Sequence, residues 1–289
     1  MSEKVDEFRE QYNKKVERHK EWLQSQGKSG ERFVMTENFS GVTLKGDDLV
    51  QAIFLSKEIK DVVFEKMALE DVLFLNCKFS NTTFNDTKLN SSTFFNTEFN
   101  NCNIRGCQAK NLFLKQSVLT KVLVYETNLE NAKISDAKIN GSRLEYISAK
   151  HFNLSYADLN NCQLHECNFP RSVFNLNDYV NCKITNCIYD ESDMEMFDIR
   201  SSELIKCSFE DTSFEHSNIS IDCVSTSFEN AIFEGCEVMF YGQAKLAGAE
   251  FDEMAYDAYR EFKKKEHPGL IYDFLKENKL SNVVMPRID

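Results

Sequence analysis

A large apolar residue recurs every five positions along most of the chain. Phe39, Leu44, Leu49, Phe54, Ile59, Phe64, Leu69, Phe74, Phe79, Phe84 and Leu89 open the series, which runs in one frame to Phe214, Ile219 and Val224 with only Ala109 and Ala149 small. A second series, mostly small, stands two residues earlier: Ala52, Cys77, Thr82, Thr87, Ser92, Thr97, Cys102, Ala132, Ala157, Cys162, Cys182 and Cys207 belong to it. Two inward positions in every five match neither a strand, which alternates with a period of 2, nor a helix, with 3.6 residues per turn. The pattern therefore predicts short extended segments with a corner every five residues. Its frame breaks after Val224, resumes at Phe228, Phe233 and Val238, and resumes again at Leu246 and Phe251, which predicts a bulge or small loop within 237–245.

The flanks follow a different rule. Val5, Phe8, Tyr12, Val16, His19, Trp22 and Leu23 recur at three and four, which predicts an amphipathic helix over about 3–25 with Ser2 as N-cap and Gly27 as its stop. Phe251, Met254, Ala255, Ala258, Tyr259 and Phe262 predict a second helix, which His267-Pro268-Gly269 ends, and Leu270, Ile271, Phe274 and Leu275 a third. Three segments result: an N-terminal helix in 1–30, the repeat in 31–251 and a C-terminal helical cap in 252–289. An open solenoid end exposes apolar rungs and unpaired backbone, so the C-terminal pair is placed to cap it or to form a homodimer contact.

The five-residue unit resembles that of the pentapeptide-repeat proteins, whose motif is a small residue, a polar one, a central Leu or Phe, and two polar residues; Ala157-Asp158-Leu159-Asn160-Asn161 matches it at every position. The resemblance covers about 34–251 and implies an all-β solenoid: a right-handed quadrilateral β-helix with four pentapeptides per coil, here with flanking α-helices at both termini. It also implies that residues one coil apart stack at the strand spacing.

With four sides per coil, outward residues sort by side. The side centred on Val34, Phe54, Phe74, Phe94 and Leu114 is expected to present Phe33, Met35, Ile53, Leu55, Leu73, Leu75, Phe95 and Phe113 outward. Such a stripe exceeds an ordinary monomer's apolar patch, so it is covered by the N-terminal helix folding back, the reading favoured here, or by a protein partner. Another side carries Asn81, Asn100, Asn101, Asn160, Asn161 and Asn181, which suit corners and ladder hydrogen bonds. A third carries Lys88, Lys110, Lys150 and Arg171, with Asp190, Glu191, Glu210 and Asp211 beyond them as an acidic surface.

Composition sharpens this picture. Only 3 prolines and 10 glycines are present, too few for a protein turned by ordinary hairpins. The net charge of −12 resides in the repeat, and Asp190 to Glu237 carries 13 acids against Arg200 and Lys206. That balance argues against direct nucleic-acid binding. No apolar run reaches the roughly 20 residues of a membrane span and the start alternates charges, so a cytoplasmic protein without a membrane partner is expected. Nine of the 10 cysteines fall in the small inward series, Cys223 being the exception; Cys162 and Cys182, and Cys167, Cys187 and Cys207, are spaced to form vertical thiol ladders of packed, reduced side chains.

Catalytic patterns are missing: there is no HExxH, no GxSxG and no paired CxxC, and Gly27-Lys28-Ser29 lacks the first glycine of a phosphate loop because Trp22 stands there. A protein without catalytic residues, cofactor or metal is expected. The family resemblance implies a bacterial scaffold or adaptor presenting a rigid β-helix to a protein partner, in some members associated with secretion systems or toxins. It also implies an alternative, a DNA-mimicking modulator or protector of a type II topoisomerase such as gyrase.

Overall fold

The computed structural model describes residues 2–252 and Ala255. The C-terminal cap read from 252–289, and the dimer contact assigned to it, therefore fall almost wholly outside the described residues. The chain divides into two compact units, Met1–Lys138 and Ile139–Asp289.

The first unit opens with helix α1 (Ser2–Gln24) and continues as short parallel strands stacked coil upon coil. One side pairs Phe54 with Phe74, Phe74 with Phe94, Phe94 with Leu114 and Leu114 with Ile134, each partner one full coil of four pentapeptides further on. A second side stacks Ile59, Phe79, Phe99 and Leu119, and a third Phe64, Phe84, Ile104 and Val124. Single bridges Asp48–Ala68–Lys88–Gln108–Asn128 close the fourth side. The five-residue frame thus folds as a four-sided solenoid.

Most corners are made without glycine, which takes the corner at Gly41, Gly46, Gly106 and Gly141. From Gln51 to Asn101 every fifth residue has φ between 50 and 63°, the left-handed region that costs most side chains about 1–2 kcal/mol and suits Asn and Asp best. Asn76, Asn81, Asn96 and Asn101 occupy such corners. Their amides also form ladders: Asn81 Nδ2 donates to Asp61 Oδ1 at 2.8 Å, Asn101 Nδ2 to Asn81 Oδ1 at 2.9 Å, and Asn96 Nδ2 to Asn76 Oδ1 at 2.7 Å.

Inside, large side chains stack at the coil spacing. Ring centroids lie 4.7 Å apart for Phe54 and Phe74, 4.6 Å for Phe74 and Phe94, and 4.8 Å for Phe64 and Phe84. The small inward position has a second task that its size does not reveal. Thr82 Oγ1 donates to Ile59 O and Thr87 Oγ1 to Phe64 O, both at 3.1 Å, and Cys107 Sγ donates to Phe84 O at 3.5 Å. Each partner is the central residue 23 positions earlier, whose carbonyl sits at a corner. A short donor there satisfies a buried acceptor that would otherwise cost stability.

The second unit repeats the scheme and then departs from it. Leu159 pairs with Tyr179 and Tyr179 with Ile199, while Leu164 pairs with Ile184 and Ile184 with Leu204. Beyond Arg200 the register slips: Asp198 faces Asn218 across a full coil, but Ser202 faces Ile221, one position short of it, and Thr226 faces Ala244, two positions short. The strands lengthen to Asp198–Ile205, Asn218–Ser227 and Glu237–Lys245. Segment 237–245 is one continuous strand without a loop, and the expected bulge appears as a register shift in its pairing, where Cys223 faces Gly242 but Thr226 faces Ala244. One sequence-based reading is corrected here. Val224 is 45% exposed, whereas Cys223, read as the exception among the cysteines, is buried with Ile219 and Ile221. No residue between His216 and Ser225 adopts positive φ, so this stretch loses a corner and runs straight with period-2 burial.

Candidate interaction surfaces

The residues of α1 show what its apolar face covers. Phe8 stacks on Phe39 with ring centroids 5.1 Å apart, and Tyr12 meets Phe33 edge-on at 5.7 Å. Tyr12 Oη donates to Asp47 Oδ2 at 2.9 Å, and burial together with this carboxylate raises the phenol far above its ordinary pKa. His19 is fully buried: its Nδ1 accepts from the Phe33 N–H at 3.0 Å while Nε2 lies 3.0 Å from Val50 O. This pair of contacts requires the neutral ring with its proton on Nε2, and burial lowers the imidazole pKa accordingly. Gly30, at φ 77°, lets the chain leave the helix; a Cβ there would stand 2.3 Å from Arg18 O and 2.5 Å from Trp22 N. The lid reading is therefore corrected. The helix packs on the first coil, at Phe33, Phe39, Asp47 and Val50, and caps the end of the solenoid.

Two members of the apolar stripe change place. Phe33 and Met35 are buried because Val34 pairs with Ile53 and Met35 with Phe54, an offset one position short of a full coil that turns the first coil and exchanges its inner and outer sets. The other six remain on one side. Leu55, Leu75 and Phe95 form one outward column that ends at Lys115, and Ile53, Leu73, Thr93 and Phe113 form a second that ends at Lys133. Leu55 and Phe95 are 36% and 38% exposed, and Ile53, Leu73, Leu75 and Phe113 are half-buried.

The four acidic positions lie side by side on successive coils, where their side chains differ in role. Asp190 Oδ1 accepts from the Glu210 N–H at 3.0 Å and so holds a corner. Glu191 pairs with Arg171 at 2.7 Å, and its carboxyl is lowered chiefly by that hydrogen bond. Glu191 and Asp211 are exposed corner residues at φ 56 and 54°. A feature unrecognised from sequence lies on another side: Asp158, Asp178 and Asp198 stack in register, followed by Asn218 and Glu237, with Arg200 reaching back to Asp178 at 2.7 Å. Only the coil alignment reveals this acidic column, since its members are scattered among other polar residues along the chain.

All ten cysteines are buried and reduced. Cys162 Sγ donates to Ile139 O, Cys167 Sγ to Leu144 O and Cys207 Sγ to Ile184 O, each at 3.3 Å. Burial pushes the thiols of Cys107 and Cys236 up to about 11, which suppresses the reactive thiolate. A chromogenic disulfide reagent at pH 8 is expected to modify the folded protein's thiols at least roughly tenfold more slowly than those of the denatured chain. Release of several equivalents at the denatured rate would contradict this packing.

A small-polar-large-polar-polar frame, left-handed corners recurring at five-residue spacing and four stacked sides define a β-solenoid of pentapeptide repeats, which is the class of fold this chain adopts. The family model for the SV2A/B/C luminal domain matches residues 52–144. No curated protein matches the chain. Similar solved structures include HetL, a pentapeptide repeat protein involved in heterocyst differentiation regulation from the cyanobacterium Nostoc sp. strain PCC 7120, at 14% identity over 75% of this chain and 89% of that one, with a TM-score of 0.28. Full-length QnrB1, a plasmid-mediated fluoroquinolone resistance protein, is 13% identical over 78% of this chain and 98% of that one, with a TM-score of 0.25. Rfr23, a pentapeptide repeat protein from the cyanobacterium Cyanothece 51142, is 15% identical over 39% and 83%, with a TM-score of 0.18. Likenesses at this level carry no argument about function, and the class rests on the chain's own register. No helix among the described residues is long and apolar enough to cross a membrane.

Proposed function

We propose that this chain is a non-enzymatic bacterial scaffold or adaptor that works in the cytoplasm by presenting a rigid β-helical side to a protein partner. One observation carries the reading: the double column of Ile53, Leu55, Leu73, Leu75, Phe95 and Phe113 stays on an outer side while α1 spends its apolar face on the end of the solenoid. Rigid apolar anchors lose little entropy on docking and supply most of the affinity at interfaces. The test is capture from the native host. Leu55→Asp with Phe95→Asp is expected to reduce recovery of a partner by at least about tenfold with the circular dichroism spectrum unchanged. Undiminished recovery by that folded variant would remove the stripe from the interface.

The acidic column favours a second reading, a DNA mimic acting on a type II topoisomerase. Arg200 neutralises part of the column, and Asp190 and Glu191 are engaged within the fold, so this reading has the weaker support. Purified protein is expected to leave gyrase supercoiling unchanged. Potent inhibition that Asp158→Lys and Asp198→Lys abolish would put the mimic in place of the scaffold.

A further inference from the structure

One corner of the second unit carries an apolar ridge on its outside. Tyr156, Leu176 and Met196 stand on three successive coils, in register because the adjoining strands pair Asp158 with Asp178 and Asp178 with Asp198. They are 60%, 40% and 45% exposed, and their φ values are 56, 59 and 52°. A bulky side chain rarely adopts that left-handed conformation, which Asn and Asp accept most readily. The equivalent corners of the first unit are Ser56, Asn76, Asn96, Gln116 and Asp136, all polar. Among the described residues only Tyr146 is another large apolar side chain at a corner of positive φ. Three consecutive coils thus combine backbone strain with an exposed apolar side chain, and strain retained at one place on a surface points to a use of that surface.

Acidic side chains line both flanks of the ridge. On one flank Glu195, Glu215 and Glu234 stack on consecutive coils, their carbonyls accepting from the corner N–H groups of Leu176, Met196 and His216 at 2.9, 2.7 and 2.7 Å. Glu215 and Glu234 are exposed and Glu195 is half-buried. On the other flank Asp158, Asp178 and Asp198 head the acidic column, where Arg200 holds Asp178 at 2.7 Å and stands 3.9 Å from Asp198. Apolar residues between two rows of carboxylates complement the inverse arrangement, an apolar stripe bordered by Lys and Arg. Spacing selects the secondary structure of that stripe. Coils recur at about 4.8 Å, so the three ridge residues cover roughly 10 Å. An α-helix brings residues i, i+4 and i+7 to one face over about 10.5 Å, whereas same-face residues of a strand recur at about 6.8 Å and fall out of step by the third coil. We propose that the ridge of Tyr156, Leu176 and Met196 docks a basic amphipathic helix of a partner protein, laid along the solenoid with its apolar residues on the ridge and its Lys and Arg side chains on the flanking carboxylates. The site lies within the second unit and needs nothing from the apolar stripe of the first.

The test uses the full chain and a short synthetic helical peptide whose single Leu face is bordered by Lys. Fluorescence anisotropy is expected to show saturable binding that weakens as salt rises and that a peptide of the same composition in scrambled order lacks. Leu176→Asn with Met196→Asn installs the residue that suits these corners, so this variant is expected to keep or raise Tm while losing at least about tenfold in affinity. Glu195→Gln with Glu215→Gln is expected to weaken binding at low salt and to flatten its salt dependence. Failure of the Lys-bordered peptide to saturate, equal binding of the scrambled peptide, or undiminished binding by the double Asn variant would each overturn the proposal. Sedimentation and limited proteolysis of that variant read the other occupants: loss of a dimer would give the ridge to a second copy of this chain, and newly rapid cleavage after Asp252 would give it to the chain's own C-terminal segment, either result displacing the partner helix.

Discussion

Replacing Phe94 with alanine is expected to destabilise the protein by about 3–5 kcal/mol, the loss typical of a buried phenylalanine whose cavity cannot collapse. The ring is buried, lies 4.6 Å from Phe74 in the coil before it and touches Phe99 at 5.4 Å, so its removal opens a gap in a continuous aromatic column. Asn96, two positions further along and outside the core, supplies the control. Its φ of 51° and its 2.7 Å bond to Asn76 mean that Asn96→Ala is not silent, and about 1 kcal/mol is expected from the corner conformation and the ladder bond together. A denaturant titration of the two variants distinguishes inside from outside. Equal losses would show that the five-residue frame is misassigned.

The second large effect is expected at His19. His19→Ala leaves the Phe33 N–H and the Val50 carbonyl buried without their ring partner, and about 2–4 kcal/mol of cap stability should be lost. The wild-type side chain also makes the cap sensitive to pH, and the sign follows from the direction of its shift. Burial lowers the pKa of the docked imidazole, with Arg32 acting in the same direction and Val50 O and Asp48 opposing; Tyr12 and Asp47 hold the neighbouring turn. Above about pH 6.5 the ring is neutral whether the helix is docked or free, so pH has no effect through this group. Below it the free helix binds a proton that the docked one refuses. Docking therefore weakens as pH falls, by at most about 1.4 kcal/mol per pH unit, until the docked ring also titrates. Amide exchange in α1 is expected to accelerate between pH 7 and 5.5 while that of Phe74 to Phe99 holds steady. In the His19→Ala variant this dependence should vanish, and its persistence would assign the effect to carboxylates instead.

The apolar stripe illustrates how far local pattern reaches. Leu55, Leu75 and Phe95 were legible as an outward column because each flanks a large central residue in an unbroken frame, and the pairing of Phe54, Phe74 and Phe94 keeps them there. By counting alone Met35 belonged to the same column and Phe33 to its neighbour through Ile53 and Leu73. The first coil is one residue shorter, and a strand that slips by one exchanges its faces, so both side chains are core. Sequence spacing around Val34 carries no sign of the slip, because hydrophobic residues stand on both sides of it.

What the sequence determined by itself was the period, the inward centres and the corner after every fifth residue, all consequences of short-range sterics: a large side chain, a small one and a residue tolerant of positive φ must recur together for the chain to turn. Tertiary structure decided everything that depends on which coil lies against which. The lost corner between His216 and Ser225, the burial of Cys223 instead of Val224, and the acidic column from Asp158 to Glu237 appear only when full and shortened coils are stacked in register. The placing of α1 belongs there too. Its apolar face could satisfy either the stripe or the open end of the first coil, and the buried N–H of Phe33 and carbonyl of Val50, which need the two nitrogens of His19, exist only at the end.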